Sequence, residues 1–473
     1  MNVFKGKGWR YVSAGIYIFL TFLSFYCACY RLPVGLKYAI NLVIAGWAVL
    51  TFLIRPQFNK AIFCLRFFVL FFIPYLIFWL WSVGLWISKM QSMSFIVRGS
   101  LNIFYMLTNI LFVCAAIYLF DKRVMLYTLI SMAMANFLCF LLVGTEFGMP
   151  RLIGEYFRLL ITFADDTGGA VRQLELHDMV YGWGVMVIYY AIHPETKRST
   201  RILCFLVSCF FFTLGFKRIS IPAVVGAIAL FYILRRWKEK NLRRLAFVLA
   251  IAMVALMLGY LSVIRSGLFY ELADKFGINL MFRDVLFAYY QDFYEISPAF
   301  LGQGSRFIYE YGVEHAMDSL SVTAVHNVFL EFYIEMGFWC WCAWLIFELS
   351  FRVRRVIDRY SVVPGAVLMA MNFYVFFTFL TDNTSFYYPI NVMYRMAVMV
   401  CRFAGAGGAG AGRAAAEAVR ERRSCGVLAE ISGYTGVHLL RDAAVSPGVF
   451  AGAWDLLQPH PHGRGCVFPQ QLL

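Results

Sequence analysis

Apolar runs of about 20 residues recur through the first 400 positions, separated by short charged clusters. A run of that length crosses the ~30 Å hydrocarbon core of a bilayer as a helix. Only a helix satisfies all of its backbone hydrogen bonds within one such segment. The pattern therefore predicts an all-α polytopic membrane protein. Composition agrees, with 61% hydrophobic, 18% aromatic and only 15% charged residues and a mean hydropathy of +0.69. Soluble domains carry far more charge and fewer apolar residues.

About twelve transmembrane helices are expected, over approximately 11–30, 34–54, 67–87, 100–120, 124–144, 179–193, 202–216, 219–234, 245–264, 327–349, 363–381 and 386–402. The net charge of +15 does not point to nucleic acid, because the cations lie in short clusters between apolar runs. Arg55, Lys60 and Arg66, then Lys122 and Arg123, then Lys197, Arg198 and Arg201 fall on one side of this topology. So do the clusters 235–244 and 352–359 and the N-terminal Lys5, Lys7 and Arg10. The positive-inside rule makes that side cytoplasmic and places both termini there. The first apolar segment resembles a signal peptide but lacks a small-residue cleavage site, so a retained first helix is expected.

Two long loops remain on the outer side, about 145–178 and about 265–326. Loops of that length between membrane spans carry function more often than not. Residues 151–163 of the first mix apolar and charged positions at helical spacing and fit an interfacial segment. Residues 1–402 form the transmembrane domain. From 403 the chain becomes rich in Gly, Ala and Arg, with no lysine, and reads as a low-complexity tail, disordered or out of frame. The twelve cysteines show no metal or disulfide framework. No P-loop pattern follows Gly302-Gln303-Gly304, which reads as a turn.

Candidate chemistry sits on the outer side. His326-Asn327 opens the tenth apolar segment, where helix N–H groups favour an anion and a neutral imidazole can take a proton from a hydroxyl. The alternative is a histidine that merely closes the helix end. Arg283 suits a bidentate grip on phosphate oxygens, the alternative being an ion pair with Asp284 or Asp292. Lys217 and Arg218 stand in a very short outer turn, against the charge rule, and fit either a substrate anion or lipid headgroups. Glu175 and His177 precede the sixth span, and Asp382 lies in the turn before the last. Glu331 and Glu335 lie one turn apart inside the tenth span.

His326-Asn327, nine residues, Gly337, two residues and Cys340 resemble the histidine motif of bacterial O-antigen polymerases and O-antigen ligases. Cys340 departs from the small residue or Tyr of that pattern. Phe282-Arg283-Asp284, Ser297-Pro298 and Leu301-Gly302-Gln303-Gly304 are similar to the family's outer-loop run, and Lys217-Arg218 to its basic outer turn. Glu175-Leu176-His177-Asp178 resembles an acidic-histidine motif of some polysaccharide polymerases. The resemblance covers 1–402 in topology and is motif-specific mainly over 210–345. It implies a GT-C-like membrane glycosyltransferase, without metal or cofactor, acting on a polyprenyl-diphosphate-linked oligosaccharide. Arg218, Lys217 and Arg283 would hold the diphosphate, and His326 would position or deprotonate the acceptor hydroxyl. Asn327, Glu175, His177 and Asp382 are candidates for holding the glycan acceptor or sugar. Bilayer lipid and a chain-length regulator are the further partners, and the location is the bacterial inner membrane. The acidic-histidine motif and the aromatic second loop favour polymerase over ligase. A polysaccharide flippase and a scaffold without chemistry are the readings outside that class.

Overall fold

The computed structural model describes residues 7–29, 32–162, 177–193, 197–215, 217, 219–277, 280, 283–314 and 325–401. The chain divides into Met1–Gly412 and Arg413–Leu473, and the second unit lies outside the described residues, as does the tail from 403. Among the described residues every regular element is helical. In chain order these are α1 (Lys7–Ala28), α2 (Val34–Ile54), α3 (Phe58–Ser88), α4 (Met93–Phe120), α5 (Val124–Phe147) and α6 (Met149–Thr162). They continue as α7 (His177–Ile192), α8 (Arg198–Leu214), α9 (Ser220–Leu234), α10 (Glu239–Arg265), α11 (Leu268–Lys275) and α12 (Arg283–Tyr289). The last five are α13 (Phe307–Glu314), α14 (Val328–Ile346), α15 (Arg352–Arg359), α16 (Val362–Phe379) and α17 (Tyr388–Cys401).

Each apolar segment read from the sequence coincides with one of these helices. Seven helical stretches among the described residues are long and apolar enough to cross a membrane, with Met93–Phe147 taken as one. Asp178–Ile192 and Ser220–Leu234 are shorter apolar helices. Exposure follows lipid rather than water. Val43 (58%), Leu53 (68%) and Leu65 (61%) face outward, while Thr21, Asn41 and Asn109 are buried. Buried polar groups bond between helices, as they must where no water competes. Thr21 meets Ser131 at 2.6 Å, Asn41 donates to Asn109 at 3.1 Å, and Tyr388 donates to Asn41 at 2.9 Å.

Two large apolar cores result among the described residues, besides a small cluster of Val143 and Leu152 between α5 and α6. The first joins α1 to α5 with α7 to α9, α16 and α17. The second gathers the loop after α10 onto α14 and the distal half of α3. Leu286, Phe287, Tyr290, Phe307 and Ile308 are buried there against Val328, Phe329 and Tyr333. Each such side chain contributes about 1.5–3 kcal/mol when removed from water. The described parts of the long second loop are thus packed structure.

Gly302-Gln303-Gly304, expected as a simple turn, is instead an inserted segment. α14 breaks at Gly337, whose φ of 73° and ψ of 176° place it in a region open essentially to glycine alone. The break frees main-chain groups that the segment takes up. Gln303 N donates to Ile334 O at 2.8 Å, Gly304 N to Glu335 O at 2.9 Å, and Phe338 N to Phe300 O at 2.9 Å. From the other side Trp81 Nε1 donates to Leu301 O at 3.0 Å and Lys89 Nζ to Gly302 O at 2.8 Å. A Cβ on Gly302 would lie 2.5 Å from Gly337 N, so only bare backbone fits.

Ion pairs link the basic connections to one another. Lys60 meets Asp121 at 2.7 Å and Arg243 meets Asp358 at 2.7 Å, joining linkers remote in sequence at one end of the bundle.

Candidate functional site

The turn Leu380-Thr381-Asp382, between α16 and α17, gathers four sequence candidates from three other segments. His326 Nδ1 lies 3.4 Å from Asp382 Oδ1. Lys217 Nζ lies 3.9 Å from Asp382 Oδ2. Arg283 Nη2 donates to Thr381 O at 2.8 Å, and Asn327 Nδ2 to Leu380 O at 3.2 Å.

Local sequence explains each placement. Asn327 is the N-cap of α14, its Oδ1 accepting from Leu330 N at 2.9 Å, which satisfies one of the orphan donors of the first turn. Its amide also donates to the Tyr260 hydroxyl at 2.8 Å, tying α10 to the site. His326 stands one residue earlier with φ of 51°, a left-handed conformation that turns the chain sharply into the helix. Its side chain is 36% exposed. Arg283 opens α12 and is held by the carbonyls of Thr381 and Leu280. The Asp284 or Asp292 ion pair considered from the sequence is not the contact it makes. Arg283 Nε is buried and makes no hydrogen bond among the described residues.

Asp382 is the hub. Its carboxylate accepts from the Tyr181 hydroxyl at 3.0 Å, from Asn383 N at 2.8 Å and from the Tyr387 hydroxyl. Burial alone would raise its pKa. The hydrogen bond with His326, the Lys217 ammonium and the Tyr387 hydroxyl outweigh burial and hold the carboxyl well below the usual carboxylate range. Asp382 is therefore a fixed negative charge. A carboxylate on Nδ1 favours the tautomer with the proton there, which leaves Nε2 as a hydrogen-bond acceptor.

Not every candidate joins this cluster. Arg218 and Glu175 lie outside the described residues, and the side chain of His177 is not described. The neighbouring Asp178 is buried and acts electrostatically on Tyr387, next to the hub. Glu331 and Glu335 are buried in α14, and their carboxylates make no hydrogen bond to the Asp382 cluster among the described residues. Sequence reasoning missed Tyr181, Tyr387 and Tyr260, which carry no motif among 28 tyrosines. Asp382 was singled out as a holder of acceptor or sugar, but nothing in its spacing marks it as the group that organises the histidine.

Compared with protein-family models and with curated proteins, the chain gives no match.

Proposed function

We propose that this chain is a membrane glycosyltransferase of the O-antigen polymerase type. It would transfer a polyprenyl-diphosphate-linked glycan to a sugar hydroxyl at the loop end of the bundle. The observation that carries this is the meeting of His326, Lys217, Arg283 and Asn327 on Leu380, Thr381 and Asp382. A base and two cations around one opening suit this reaction, in which a proton leaves an attacking hydroxyl while a diphosphate departs with negative charge.

His326 Nε2 takes the acceptor proton as the hydroxyl oxygen bonds to the anomeric carbon. The bond from that carbon to the diphosphate oxygen breaks. Lys217 and Arg283 meet the charge that develops on the leaving group, and Arg218, next to Lys217 in the sequence, is proposed as a third cation. Fixed cations in a water-poor site stabilise such charge strongly and need no reorganisation. They supply charge that a metal ion supplies elsewhere, so the transferase is proposed to need none. Asp382 keeps the imidazole oriented and stabilises it once protonated.

The proposed topology has twelve crossings in a GT-C-like arrangement. Both termini and the arginine-rich linkers are on the cytoplasmic side of a bacterial inner membrane, and the site is periplasmic. Twelve helices at the expected positions and basic clusters at alternate connections support it. The donor then enters from lipid and the acceptor from water. Glycan analysis after deleting the gene tests the assignment. Single repeat units attached to the lipid A-core support a polymerase, and unattached polymer on the lipid carrier supports a ligase. Unchanged glycans would overturn both.

A further inference from the structure

At the end of the bundle away from His326 lies a groove of about 370 Å³ between α3 and α15. Pro364, at the start of α16, lines it, whereas the candidate site lies beyond the far end of that helix. Sixteen residues at 1.5 Å each separate Pro364 from Leu380, about 24 Å. The groove belongs to neither the proposed donor site nor the acceptor path.

Its lining is mostly apolar, with Leu70, Ile73 and Phe351, and also carries Arg66, Arg355 and Arg359. Arg355 and Arg359 are one turn apart on α15, both exposed. Nearby carboxylates are taken: Glu348 pairs with Arg352, and Asp358 with Arg243. Among the described residues neither Arg355 nor Arg359 makes an ion pair. Phe351 is half exposed and Leu65, also in the lining, 61% exposed, so the groove opens on the lipid-facing surface.

We propose that this groove seats an anionic glycerophospholipid of the leaflet at the basic end. One acyl chain lies along Leu70, Ile73 and Phe351, and the headgroup phosphate sits against Arg355 and Arg359, with Arg66 opposite. The combination selects this ligand. A soluble anion leaves the apolar walls unused, and a zwitterionic lipid leaves the cations without net compensation. Basic pockets between membrane helices on the cytoplasmic side recognise acidic headgroups by this chemistry. The inference rests on the membrane reading of the fold and is independent of the transferase reading.

The test uses purified full-length protein in phosphatidylcholine nanodiscs doped with phosphatidylglycerol, with co-released lipid counted by native mass spectrometry. Wild type is expected to retain phosphatidylglycerol in preference to phosphatidylcholine. In R355Q/R359Q that preference falls about thirty-fold, which is about 2 kcal/mol at 1.4 kcal/mol per decade for two cations near the surface. Ile73→Trp fills the groove without touching the cations and also loses the retained lipid. R355K/R359K keeps the charge and keeps the preference, which separates a lost contact from a misfolded variant. Wild type without preference, or an unchanged ratio in R355Q/R359Q, overturns the proposal. So does full retention in Ile73→Trp, since the anion would then need no groove. Transfer activity is not read, so failure here is distinct from failure of the enzymatic assignment.

Discussion

Replacing Gly337 by Ala adds one methyl group where the backbone of another segment already stands. The new Cβ would lie 2.2 Å from Leu301 C and 2.3 Å from Leu301 O, and 2.5 Å from Gly302 N. These are backbone atoms, so no side-chain rotation relieves the overlap. The φ of 73° adds about 1–3 kcal/mol of strain for any residue with a Cβ. Escape requires the 300–304 segment to leave the break in α14, and its three main-chain hydrogen bonds go with it. At about 1 kcal/mol each, these losses and the strain total about 4–6 kcal/mol. The assay is thermal unfolding of the purified protein in one detergent, with Gly84→Ala as control. Nothing lies within 4 Å of a Cβ on Gly84, and alanine is the better helix former by about 1 kcal/mol. Gly337→Ala is expected to unfold far below wild type, with new protease cleavage near 300–304, while Gly84→Ala is equal or more stable. Equal melting of Gly337→Ala and wild type would refute the insertion of this segment into the helix.

Asp382→Asn keeps an acceptor oxygen for only one of Tyr181 and Tyr387, which bond opposite carboxylate oxygens, and removes the charge from His326, so the catalytic rate should fall about 10–100-fold with the donor KM little changed, as steady-state transfer kinetics would register. Because the Asp382 carboxyl is held below its usual range, the stability it contributes is in place above about pH 4 and is lost as pH falls further. Acid melting curves of Asp382→Asn should lack that loss. Arg283→Lys retains the charge but not the planar fork bridging Thr381 and Leu280, and is expected to raise the donor KM, whereas an unchanged KM would remove Arg283 from the donor site. Asn327→Ala removes the cap of α14 and should cost about 0.5–2 kcal/mol in denaturant unfolding, with Asn327→Asp recovering the cap but not the bond to Leu380.

The membrane helices were legible because twenty-residue apolar runs have one solution in lipid, and every segment read from the sequence is helical. Asn327 as a helix start was equally legible, since a polar residue before an apolar run is a capping signal. The break at Gly337 was not, because glycine within an apolar helix is common and only the incoming backbone at Leu301 and Gly302 makes it necessary. For the same reason Gly302-Gln303-Gly304 read as a turn when it is one side of that contact. Lys217 stood out as a cation against the charge rule, His326 as a titratable group at a helix mouth, and Arg283 as a guanidinium suited to phosphate. Their common partner did not, because the closeness of Asp382 to residues 56 and 165 positions earlier is tertiary and leaves no periodic trace. Tyr181 and Tyr387 were hidden in the same way, their hydroxyls becoming informative only when seen on one carboxylate.

The central claim is that His326 is the base of a transfer reaction in a site floored by Asp382. Its most direct test is transfer by the purified protein in proteoliposomes, supplied with a polyprenyl-diphosphate-linked oligosaccharide and assayed for chain growth with release of polyprenyl diphosphate. The expected result is elongation by wild type and none by His326→Ala, with both proteins folded and both retaining the donor lipid. Elongation by His326→Ala at the wild-type rate would contradict the claim.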